Sequence, residues 1–214
     1  MKKLDIVSTL VEGVGIGVKN AISLILTCFL GILSVLIPYL NIGVLIALYS
    51  LPVELSKGHI INPRFIFEKK YRSNMGEFFI LMGLMIMAFI PAFLLCIVPG
   101  CVLSIAWSLA VLLFVDKGVS AMDALHLSNK LTYGNKWRIF AINLILTVTL
   151  CIISFFAKWI FCSVLGMHHS FNLILPLIIM ILFFPIQLGC SSVIYRELTA
   201  HSFTATVTID EEKE

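Results

Sequence analysis

Charge is what this chain has least of. Only 13% of its 214 residues are Asp, Glu, Lys or Arg, while 60% are hydrophobic. Soluble domains carry charge on roughly a quarter of their residues, so a water-solvated globular domain is excluded. Motif-borne chemistry is also missing: there is no Gly-rich phosphate loop, no His-Glu-x-x-His, no Gly-x-Ser-x-Gly and no paired-cysteine metal site. The six cysteines (Cys28, Cys96, Cys101, Cys151, Cys162, Cys190) all sit in apolar blocks and not in polar loops. They read as small apolar residues, which excludes a disulfide framework; a Cys96–Cys101 bridge across a Pro-Gly turn is the one alternative, and it would need specific Cβ geometry. His168 and His169 are adjacent in a turn, where side chains diverge and no further ligand is at hand. The expectation is a non-enzymatic protein without catalytic residues, metal or cofactor.

What the chain does have is apolar length. With a mean hydropathy of +1.05, its hydrophobic residues fall in long blocks separated by short polar stretches, the pattern of spanning segments. Lys2 and Lys3 precede Asp5 and Glu12, so the start reads as mature protein and not as a signal peptide. Residues 21–55 are twice as long as one span needs and carry Pro38-Tyr39-Leu40-Asn41 near the middle, where proline restricts its predecessor and Asn41 caps the second helix. Residues 78–115 repeat the design around Pro99-Gly100, and residues 139–194 around Gly166-Met167-His168-His169-Ser170. Pro91, Pro176 and Pro185 read as kinks within helices. The predicted fold is therefore an all-α, polytopic membrane helical bundle of six spans in three hairpins. The spans are about 21–37, 41–56, 77–98, 100–115, 139–165 and 171–196, in one membrane domain (1–199) that ends in a short polar tail (200–214).

Orientation comes from positive charge, which resists translocation. With six spans, every one of the 15 Lys and Arg residues except Lys158 falls on one side. That side is expected to be the cytoplasm of a bacterial-type inner membrane, with both ends of the chain in it. The two connectors on that side resemble each other. Lys57-Gly58 opens one and Lys117-Gly118 the other; Asn62-Pro63 and Ser120-x-x-Asp123 then supply helix starts, and Gly76 and Gly134 close them before an aromatic residue enters the next span. Each is predicted to be a short amphipathic helix on the cytoplasmic surface, the two forming a diverged repeat of about 60 residues. The second sets Ala121, Ala124, Leu125, Ser128 and Leu131 along one side.

The run Asp116-Lys117-Gly118-Val119-Ser120-Ala121-Met122-Asp123-Ala124-Leu125, then Ser128, Lys130, Thr132-Tyr133-Gly134-Asn135 and Trp137-Arg138-Ile139-Phe140, resembles a signature in the membrane domain of glycerophosphoryl diester phosphodiesterases and related bacterial integral membrane proteins of unknown function. The resemblance covers about residues 107–140. It implies a membrane architecture and carries over no catalysis, since that family's phosphodiesterase domain is not among these residues.

Candidate functional residues fall into two groups. Arg64, Lys69, Lys70 and Arg72 in the first connector, with Lys136 and Arg138 in the second, are placed to meet anionic lipid headgroups. Asn143, Lys158 and Gln187 lie within spans and are candidates for a polar pathway or for interhelix hydrogen bonds. Glu54, His59, Asp116 and His126 are the acid–base residues that could converge at the cytoplasmic interface. The expected partners are membrane lipids and a second copy or another membrane protein; nucleic acid is not expected. The expected role is organisation of lipid or other membrane components. A small channel or transporter and a membrane-embedded lipid-modifying enzyme are the alternatives.

Overall fold

A computed structural model describes residues 3–34, 38–165 and 171–211. The expected turn at Gly166–Ser170 lies outside the described residues. All described elements are helices: α1 (Ile6–Lys19), α2 (Ala21–Ser34), α3 (Pro38–Ser56), a 3-10 turn (Pro63–Phe67), α4 (Lys70–Ser73), α5 (Met75–Leu95), α6 (Ile97–Ala106), α7 (Ala110–Lys117), α8 (Ala121–Thr132), α9 (Lys136–Leu165) and α10 (Phe171–Glu211). Among the described residues, four stretches are long and apolar enough to cross a membrane: Met75–Leu95, Ile97–Lys117, Lys136–Phe161 and Ile174–Ala200. The pair α1 and α2, bent by 70°, makes a fifth if it counts as one span, and Ile42–Ser56 is a shorter apolar helix. Pro91, Pro176 and Pro185 all lie inside helices, α5 and α10, as kink-forming prolines do.

The first helix is an element that the apolar blocks do not announce. Asp5 caps α1, accepting from the Ser8 N–H (3.4 Å), and Thr9, Gly13 and Gly17 form a buried stripe of small residues at every fourth position. That stripe lies against α10 at near backbone contact. A Cβ on Gly13 would sit 2.6 Å from the Cys190 Cα, one on Gly17 2.5 Å from the Pro185 carbonyl oxygen, and one on Gly189 2.1 Å from the Gly13 carbonyl oxygen. Small residues let two helices approach until their backbones pack, the arrangement favoured between membrane helices. Beside the stripe, Arg196 Nη2 meets Glu12 Oε2 at 2.6 Å.

Ring contacts define the next layer. Phe78 of α5 meets Phe114 of α7 at 6.3 Å between centroids, and Phe89 meets Trp107 at 5.7 Å. The chain reverses at Cys96, a single extended residue (φ −169°, ψ 147°), and not at Pro99-Gly100. Pro99 is the third residue of α6, where its missing N–H has no helical acceptor to lose. Gly100 admits the Phe93 ring, whose Cδ1 would lie 2.5 Å from a Cβ there. Cys96 and Cys101 are both free thiols.

The core is concentrated at the connector end. One buried cluster joins Val44, Ile46 and Ala47 of α3 to Ile66, Tyr71, Phe78, Leu81, Ala110, Phe114, Ala121 and Ala124. A second joins Leu4 to Leu109, Leu112, Leu113, Ile139, Ile142, Leu146, Cys190, Ile194 and Tyr195. Farther along the same helices the surface turns apolar and open: Met87, Leu94 and Leu95 on α5, Ile97 and Val98 on α6, and Phe155 on α9 are all more than 65% exposed. Buried residues thus gather toward the charged end, and exposed apolar side chains line α5, α6 and α9 farther along.

Candidate functional site

The ends of the helices converge on one acid. Asp116, its side chain only 9% exposed, receives Lys57 Nζ at 2.7 Å and Lys117 Nζ at 3.6 Å, and its Oδ2 accepts from the Tyr195 hydroxyl at 2.6 Å. Glu54 adds a contact to Lys57 (3.8 Å) and one to His59 Nδ1 (2.8 Å). Burial alone would lower the Lys57 pKa, but the hydrogen bond and charge of Asp116, aided by Glu54, raise it above the ordinary lysine value. Three of the four expected acid–base residues therefore gather, through Lys57; His126 lies elsewhere, on α8. The carboxylates are engaged by cations and a tyrosine, which makes the cluster a tie between α3, α7 and α10.

Both connectors open on a left-handed glycine, Gly58 (φ 76°) and Gly118 (φ 63°), so the shared Lys-Gly is a shared helix stop. The expected helix starts are present too. Asn62 Oδ1 accepts from the Arg64 N–H (3.2 Å), while Ser120 Oγ accepts from the Asp123 N–H (3.2 Å) and donates to Asp123 Oδ2 (2.7 Å). Beyond that the connectors diverge. The first is a 3-10 turn and a four-residue helix folded onto the bundle, with Ile66 and Tyr71 buried and Phe65 edge-on to Tyr71 at 5.6 Å. Arg64, Lys69 and Lys70 carry their charge on its outer side, Lys69 and Lys70 being exposed. Arg72 is half-buried, its stem lying over Gly43, where a Cβ would meet Arg72 Cγ at 2.6 Å.

The second connector helix, α8, turns its apolar face into the protein. Ala121, Ala124, Leu125, Ser128 and Thr132 are buried, and they meet a break in the neighbouring span between α6 and α7, at residues 107–109. The break leaves the Leu109 N–H and the Ala106 carbonyl in need of partners. Ser128 Oγ accepts from the first (3.2 Å) and donates to the second (2.7 Å), taking the place of the lost helical rung. Thr132 Oγ1 also reaches Ala106 O at 3.4 Å. An unmet backbone group in hydrocarbon costs several kcal/mol, so a broken span persists only where protein satisfies it. The fully buried Ser128 was legible as part of the α8 face, but its partner was not.

Past α8, Gly134 (φ 81°) turns the chain. Asn135 Oδ1 then accepts from the Leu4 N–H (3.0 Å), and Arg138 Nη1 donates to the Leu4 carbonyl (2.5 Å), so Arg138 holds the start of α1. Lys136 instead turns outward and donates to Asn129 Oδ1 at 2.9 Å. This pair borders an open groove of about 750 Å³ between α5, α6, α8 and the start of α9. Leu84, Ala88, Val98, Pro99, Val102 and Leu103 form its apolar wall, and His126, Asn129 and Lys136 lie at its polar lip.

Of the intramembrane polar candidates, one lines a groove. Lys158 borders a second groove of about 410 Å³, with Leu150, Cys151, Ser154, Phe155, Pro176 and Met180. Asn143 and Gln187 line neither groove. Comparison with protein-family models, curated proteins and solved structures finds no match.

Proposed function

We propose that this chain is a non-enzymatic integral membrane protein that organises lipid, alone or with a second copy or another membrane protein, in a bacterial-type inner membrane. In this reading the chain crosses the bilayer six times in three hairpins, and the connector end with both chain ends faces the cytoplasm. The observation that carries the reading is the uneven packing. The charged end is tied together by Asp116, Ser128 and Asn135, whereas the far halves of α5, α6 and α9 carry exposed apolar side chains, among them Leu94, Leu95, Ile97, Val98 and Phe155. Exposed apolar side chains of this kind mark a membrane or protein contact, and a bundle tied at one end leaves them available to acyl chains. Lys158 shares its groove with neither Asn143 nor Gln187, which gives no support to a continuous pathway, and the engaged carboxylates give none to catalysis. Spin-labelled phospholipids in reconstituted vesicles test the proposal. A motionally restricted population whose size depends on headgroup is expected, with no ion flux above protein-free vesicles. A restricted population indifferent to headgroup, or a protein-dependent flux, would overturn it.

A further inference from the structure

The groove bounded by α5, α6 and α8 joins two chemistries that one class of molecule shares. Its wall is apolar over the stretch from Val98 to Ala106, about eight residues of helix, or about 12 Å at 1.5 Å per residue. One leaflet of hydrocarbon is about 15 Å deep, half of a ~30 Å core. The trough is therefore the right length for the acyl region of a single leaflet. At its α8 end stands Lys136, half-buried, its ammonium positioned by the 2.9 Å hydrogen bond to Asn129 with two further N–H donors to offer. His126 and the Asn129 amide lie beside it, and none of the described residues lining the groove is acidic. A single positive lip on an apolar trough complements a molecule with one anionic end and a hydrocarbon body. The volume, about 750 Å³, is that of a ligand-sized site. Its base is also fixed: Ser128 holds the broken span at Ala106 and Leu109, so the wall and the lip are joined by hydrogen bonds.

We infer that this groove is a binding site for one anionic phospholipid, its phosphate at Lys136 and Asn129 and an acyl chain along Leu84, Val98 and Val102. The inference rests on the lipid-organising reading and adds a place and a headgroup charge to it.

Trp107 lines the groove and serves as the reporter. In the full chain with Trp137→Phe and Trp159→Phe, Trp107 is the remaining tryptophan; the variant is reconstituted with phosphatidylglycerol or phosphatidylcholine carrying brominated chains, which quench on contact. The site predicts that brominated phosphatidylglycerol quenches at about fivefold lower mole fraction than brominated phosphatidylcholine, the worth of roughly one basic residue at an anionic surface. Lys136→Gln should remove that preference and leave quenching by phosphatidylcholine in place. Asn129→Asp, which keeps the lysine but sets a carboxylate beside it, should reduce the preference too, and it guards against a folding defect in the first variant. Lys19→Gln, exposed at the end of α1, should leave the preference intact. Equal quenching by the two lipids, a preference that survives Lys136→Gln, or one lost equally in Lys19→Gln would overturn the site. So would no quenching by either lipid, which would mean that protein covers the trough. If spin-labelled lipids still show headgroup selectivity while Trp107 does not, the site fails and the broader function stands; loss of both removes the function as well.

Discussion

Gly189→Ala tests the contact on which α1 depends. The added methyl would lie 2.1 Å from the Gly13 carbonyl oxygen and 2.8 Å from the Gly17 nitrogen. Both are backbone atoms, so no rotamer change relieves the clash and the two helices must separate. Overpacking of this kind costs about 1–3 kcal/mol, and rigid neighbours place the cost at the upper end. Alanine's better helix propensity returns only about 1 kcal/mol, so a net loss of roughly 2 kcal/mol is expected on these two magnitudes. Gly15→Ala supplies the opposite sign on the same helix, α1, because nothing lies within 4 Å of a Cβ there and only the propensity gain remains. Reversible unfolding in mixed micelles of increasing denaturing detergent, followed by circular dichroism, would read both. If Gly189→Ala were as stable as wild type, or Gly15→Ala equally destabilised, the close approach of α1 and α10 would be refuted.

Ser128→Ala removes a hydroxyl that both accepts from Leu109 and donates to Ala106; it should lower stability by about 1–3 kcal/mol in the same assay, and an unchanged midpoint would mean that the broken span does not need α8. Tyr195→Phe strips Asp116 of its 2.6 Å donor, a hydrogen bond to a charged group worth about 1.5–3 kcal/mol, and in an Asp116→Asn background its effect should shrink, as a double-mutant cycle would show. Because the folded-state pKa of Lys57 is raised, its contribution is fully present below the unfolded value of roughly 10.4 and lost as pH climbs through the folded value; a Lys57→Met variant should lack whatever part of the alkaline loss of thermal stability belongs to that residue. Lys158→Gln, at a position beside an apolar groove, should leave any vesicle ion flux and its selectivity unchanged; a shift in anion over cation preference would favour a pore.

Much of the architecture is written in the sequence because it obeys local rules. Asn62 and Ser120 cap their helices as their types and spacing dictate, Gly58 and Gly118 stop the preceding ones, and Pro91, Pro176 and Pro185 sit inside helices. Features that need a partner are hidden. Thr9, Gly13 and Gly17 carry little hydrophobicity and share their helix with Glu12, so α1 does not stand out as an apolar block, and its partner appears only when Gly189 is set against it. The break after Ala106 involves Trp107, Ser108 and Leu109, none of which is a helix breaker by type; it exists because Ser128 and Thr132, about twenty residues on, satisfy it. Pro99-Gly100 resembles a turn because both residues favour turns, yet a proline in the first turn of a helix loses nothing and a glycine can serve a neighbouring ring. Among the basic candidates, charge places Arg64, Lys69, Lys70, Arg72, Lys136 and Arg138 near one end, but charge does not tell an outward lysine from Arg138 bonded to Leu4.

Both the lipid-organising role and the groove depend on which side of the membrane the connector end occupies. Single cysteines placed at Ser73, Ser120 and Ser202 in a cysteine-free background, probed with a membrane-impermeant thiol reagent, test this most directly. In intact cells these positions should stay unlabelled while Ser170→Cys is labelled, and in inverted membrane vesicles the pattern should reverse. Labelling of Ser73→Cys or Ser202→Cys from outside intact cells would contradict a six-span bundle with its basic end in the cytoplasm.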